Sequence, residues 1–106
     1  MNKSTAVIYN DHLKPFEIFA KNFYNLDLDS FVINLRDGKY DRYNILSEFT
    51  AYLQNPNYNK PLSVITLRNR VKAVKNFLEF NDVEISANKF RLKVRLPKAI
   101  QKKKKL

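Results

Sequence analysis

The stretch LSVITLRNRVKAVKNFLEF, residues 62–80, decides the fold. Leu67, Val71, Val74, Phe77 and Leu78 fall within about a 120° arc when residues advance by about 100° each. Arg68, Asn69, Lys72, Lys75, Asn76 and Glu79 occupy a similar arc on the opposite side. That division predicts a helix with one buried and one polar face. Ser63 suits its N-cap, because a serine hydroxyl satisfies an orphan N–H of the first turn. Asn81 and Asp82 end it.

The same period runs through the residues before it. In STAVIYNDHLKPFEIFAKNFYN, residues 4–25, an inward face of Tyr9, Leu13, Phe16, Phe19, Ala20 and Phe23 predicts a first helix. Ser4 or Thr5 is placed to cap it, and Pro15 predicts a kink or a break into a short helix and a longer one. In LDLDSFVINLRDGKYDRY, residues 26–43, Asp27 or Asp29 caps a short helix carrying Phe31, Val32 and Leu35, and Gly38 closes it. Asp41 caps a third helix with Ile45, Leu46, Phe49, Tyr52 and Leu53 inward, which stops before Asn55–Pro56. NPNYNKP, residues 55–61, predicts an exposed loop in which Tyr58 has no evident place. After the helix at 62–80, ISANKFRLKVRLPK, residues 85–98, predicts a short Ser86-capped turn or helix and then an extended strand. There Leu92, Val94 and Leu96 alternate with Lys93, Arg95 and Pro97. The expected architecture is all-α, a four- to five-helix bundle over residues 1–91 followed by a basic extended segment over 92–106.

Composition narrows function by exclusion. The chain of 106 residues has no cysteine and a single histidine, His12, so a Cys-based zinc site, a disulfide and a His cluster are excluded. Its one glycine, Gly38, leaves no Gly-rich phosphate-cradling loop. No apolar run approaches the roughly 18–20 residues of a membrane helix, and the N-terminus is too polar for a secretory signal. A soluble intracellular protein with no membrane partner and no cofactor is expected. The aspartates sit where they cap or flank helices, so Asp27 and Asp29 suit capping better than acid–base chemistry. No side chain has a visible activating partner, and no enzyme is expected.

The net charge of +10 is unevenly spread. Residues 1–59 carry six Lys or Arg against seven acids, and residues 87–106 carry nine with no acid. A polyanion is therefore expected to meet the C-terminal half. Arg68, Lys72 and Lys75, flanked by Asn69 and Asn76, supply cations for phosphates and amides for base edges.

The order of these elements resembles the N-terminal core-binding domain of tyrosine recombinases and phage-type integrases. The resemblance rests on Thr5, Tyr9, Leu13 and Phe16 in the first helix. In the last it rests on Ser63, Thr66, Ala73, Val74, Lys75, Phe77 and Leu78, followed by a basic segment containing LPK. It spans residues 5–106 through motifs that are individually degenerate. Two features depart from the family pattern: Pro15 inside the first helix, and the long RDGKYDRYNIL segment, residues 36–46. The resemblance implies a SAM-like bundle that forms half of a clamp on double-stranded recombination-site DNA. It implies a monomer when isolated and an oligomer on DNA, in a prokaryotic cytoplasm on the nucleoid. LPKAIQKKKKL, residues 96–106, would be the linker to a catalytic domain of the same parent chain.

On this reading Ser63, Thr66, Arg68, Asn69, Lys72, Lys75 and Asn76 approach the groove. Lys93, Arg95, Lys98, Lys102, Lys103, Lys104 and Lys105 contact phosphates. The rival readings are a stand-alone basic helical RNA-binding protein and a protein-interaction bundle with a solvated basic tail.

Overall fold

Five helices and no strand make up the described part of the chain, residues 13–96, in a computed structural model. They are α1 (Lys14–Tyr24), α2 (Leu28–Arg36), α3 (Arg42–Gln54), α4 (Val64–Phe80) and α5 (Ala87–Lys93). The chain folds as the all-helical bundle that its 3.6-residue periodicity predicts. α3 is the central element, packed against α1, α4 and α5, while α2 packs on α1.

Each start has a local cause. Asp27, Asp41, Ser63 and Ser86 have extended backbones, and each side chain accepts an N–H from the first turn of its helix. Pro15 lies in the first turn of α1, where a missing N–H costs no helical hydrogen bond. Within the described residues Pro15 thus lies in the opening turn of a helix, and the kink or break expected there involves the turns before it. The turns expected before Leu13, with Tyr9, lie outside the described residues.

Three ends use left-handed residues: Asn25 (φ 57°), Gly38 (φ 82°) and Asp82 (φ 69°). Around Gly38, the Gly38 N–H donates to Leu35 O (3.2 Å) and the Lys39 N–H to Asn34 O (2.9 Å). The same pair recurs after α4, from Asp82 to Glu79 O (3.1 Å) and from Val83 to Leu78 O (2.9 Å). These are Schellman closures, and Asp82 takes in the second the role that glycine takes in the first.

The core is aromatic at its centre. Phe16, Phe31 and Phe49 are fully buried; the Phe16 ring lies 5.5 Å from Phe31 and 5.1 Å, edge-on, from Phe49. The inward residues expected of α2, α3 and α4 are all buried. Phe23 is a correction: it is 45 % exposed. It occupies the last turn of α1, where Tyr52 and Tyr58 flank its ring without covering it.

The strand expected from Leu92 is a second correction. Leu92 and Lys93 belong to α5, and the backbone becomes extended only at Val94. The Ser86 cap and the docking of Phe90 on the core outweigh the period-two pattern. Leu92 accordingly points outward, 63 % exposed, while Val94 is buried and Leu96 packs against the core.

Candidate nucleic-acid interface

α4 is held rigidly from both ends. At its start the Ser63 Oγ accepts the Thr66 N–H (3.1 Å) and donates to Thr66 Oγ1 (2.9 Å). The two hydroxyls expected at the groove are thus engaged with each other as a cap. At its end the Arg36 Nε donates to Asn81 O (3.0 Å), and the Asn81 amide donates to Phe77 O (2.9 Å). Arg42 donates to Glu84 O and to Leu35 O, and Tyr43 Oη accepts the Ser86 N–H (2.9 Å). Two of the chain's cations, Arg36 and Arg42, are therefore backbone latches between α2, α3 and the α4–α5 connection.

Between those fixed ends, Arg68, Asn69, Lys72 and Asn76 are exposed on one face. From residue 68 to residue 76 the row rises by about 12 Å, comparable with the width of a B-form major groove. Glu79 is the one acid of α4, and it bonds Lys75 at 3.1 Å. Ile65, 65 % exposed, sits on the same side.

Lys75 has a different position from its neighbours. It is half-buried, and its Nζ lies 5.8 Å from the centroid of the Phe90 ring on α5. Lys93 stands apart from the α4 row, with its Nζ 5.7 Å from the Tyr43 ring centroid. Arg95 is exposed. Lys98 and Lys102, Lys103, Lys104 and Lys105 lie outside the described residues.

One cation escaped the sequence reading. Arg70 falls just inside the edge of the apolar arc of the helical wheel, and its Nε is buried with no hydrogen-bond partner among the described residues. Its position at the margin of the apolar arc was the available signal. Elsewhere, the Tyr24 hydroxyl donates to Glu48 Oε1, whose other oxygen accepts from Asn44 (3.0 Å). Burial first, then the bond to Glu48 and its charge, push the Tyr24 phenol far above its ordinary range.

Among the described residues there is no group of three or more His, Asp or Glu placed to hold a metal ion, and no helix is long and apolar enough to cross a membrane. No family model, curated protein or solved structure matches the chain.

Proposed function

We propose that the chain is the DNA-contacting core-binding domain of a site-specific tyrosine recombinase or integrase. The reading is carried by one observation: Arg68, Asn69, Lys72 and Asn76 stand exposed on one capped helix face whose only acid is already paired. Arg68 and Lys72 neutralise phosphates at the groove edge, and Asn69 and Asn76 offer amides to base edges. Arg95 and the basic residues that follow it track the backbone toward a catalytic domain on the same parent chain. Strand cleavage belongs to that domain, and this one clamps and positions the duplex.

The test is duplex binding across a salt series with the whole chain. Arg68→Ala and Lys72→Ala each weaken binding and reduce the slope of log K against log salt by about one, as expected for each lost phosphate contact. Unchanged affinity in both variants would sink the assignment of this face. Tighter binding to structured RNA than to duplex DNA at equal salt would favour the RNA-binding reading.

A further inference from the structure

A second cationic surface lies on the other side of α4. Arg70 is about 160° around the helix from both Arg68 and Lys72, at about 100° per residue. It lines a cleft of about 550 Å³ with Lys14 and Asn22 of α1 and with Tyr52, Asn57 and Tyr58. That volume is within the roughly 300–1,000 Å³ of small-molecule pockets.

Three features of the cleft converge on one ligand chemistry. Arg70 lines the cleft and brings one positive charge to it, while its Nε, without a partner among the described residues, is closed to solvent. Lys14 adds a second positive charge, and among the described residues no carboxylate lines the cleft. Tyr58 offers a ring that is 52 % exposed yet already held in place, 5.4 Å edge-on from Phe23 and 5.5 Å from Tyr52. The loop carrying it is organised in turn: Asn55 Oδ1 accepts the Asn57 N–H (2.9 Å), and the Asn59 amide donates to Tyr52 O (2.7 Å). The neighbouring cleft shares Tyr52 and Tyr58 but contains Glu48, which disfavours an anion there.

We infer that the Arg70 cleft binds a nucleoside monophosphate unit, free or carried in a single strand. The phosphate meets Arg70 and Lys14, the base stacks on Tyr58, and Asn22 and Asn57 serve the base edge. This site is separate from the duplex face and does not depend on the reading of that face.

NMR titration of the whole chain tests it with adenosine 5′-monophosphate, a short oligo(dA) and inorganic phosphate. The monophosphate is expected to shift the Arg70 Nε–H, Asn57 and Tyr58 resonances, and oligo(dA) to shift the same set at lower concentration. A free nucleotide site with no such gain for oligo(dA) places the unit in solution instead of in a strand. Tyr58→Ser and Arg70→Gln each weaken monophosphate binding by about fivefold or more, the loss of one stacked base or one charged contact. Both leave duplex affinity within about twofold, since neither residue is on that face. No shift with either nucleotide, or the same shifts with inorganic phosphate alone, overturns the inference. Concurrent loss of duplex binding in the folded Arg70→Gln variant also overturns it as a separate site.

Discussion

Lys75 of α4 and Phe90 of α5 face each other, with the ammonium 5.8 Å from the ring centroid, while Glu79 holds the same ammonium at 3.1 Å. A side chain that the helical wheel assigns to the nucleic-acid face thus also fastens α5 to the bundle. Its loss should therefore be read first as a change in stability. A cation–π contact of about 0.5–1 kcal/mol and an i,i+4 pair of about 0.3–0.5 kcal/mol together give roughly 1 kcal/mol. Lys75→Ala is expected to lower Tm by about 4 °C or more in thermal unfolding. It should also weaken duplex binding less than Lys72→Ala does; an equal or larger binding loss with unchanged Tm would return Lys75 to the groove.

Gly38 and Asp82 close their helices in the same left-handed conformation, so opposite substitutions should have opposite signs. Gly38 has open space where a Cβ would sit, and the cost of Gly38→Ala is purely conformational, about 1 kcal/mol. Asp82→Gly removes a strained Cβ at φ 69° and a carboxylate from a surface cleft where Glu79 and Glu84 stand against one cation, Arg42. It is expected to stabilise the domain by about 0.5 kcal/mol. Urea unfolding of both variants checks the pair, and destabilisation by Asp82→Gly would contradict it.

The Asp27 carboxylate caps α2, accepting the Ser30 N–H at 2.7 Å, and that bond to the backbone holds its pKa below the ordinary value. A lowered folded-state pKa contributes stability that is present above the unfolded value of about 3.9 and is lost as pH falls through the folded value. Asp27→Asn, which keeps an acceptor, should flatten the fall of stability with pH in that acid window. Its effect at neutral pH should be small. The pH dependence of the unfolding midpoint from pH 5 downward is the measurement, and parallel curves for the two proteins would rule the cap out as a contributor.

Phe49 concentrates the aromatic core: it is fully buried on α3, 5.1 Å from Phe16 and 5.6 Å from Phe19. Phe49→Ala is expected to cost about 3–5 kcal/mol, a large share of the roughly 5–15 kcal/mol typical of a domain. Phe49→Leu should cost far less, and the two are compared by denaturant midpoint. Similar midpoints for Phe49→Ala and the parent would mean the core has other support.

The all-helical class, the caps Asp41, Ser63 and Ser86, the choice of Asp27 or Asp29 for α2, and the buried faces of α2, α3 and α4 were legible from residue order. They depend on local terms: a 3.6-residue period and caps that bond the backbone within three residues. The row Arg68, Asn69, Lys72 and Asn76 was legible for the same reason, since one helix determines which side chains share a face. Tertiary structure decided what required a neighbour. Phe23 is half open because Tyr52 and Tyr58 flank its ring without covering it, and Leu92 is outward because docked Phe90 makes residues 87–93 helical. Tyr58 acquires a place only when Phe23 and Tyr52, distant in sequence, flank its ring. Arg36, Arg42, Lys75 and Arg70 are alike as cations in sequence. Packing makes two of them backbone latches, one an interhelical contact, and one a buried donor with no acceptor among the described residues. Charge is written along the chain, but what each charge faces is set by contacts between residues tens of positions apart.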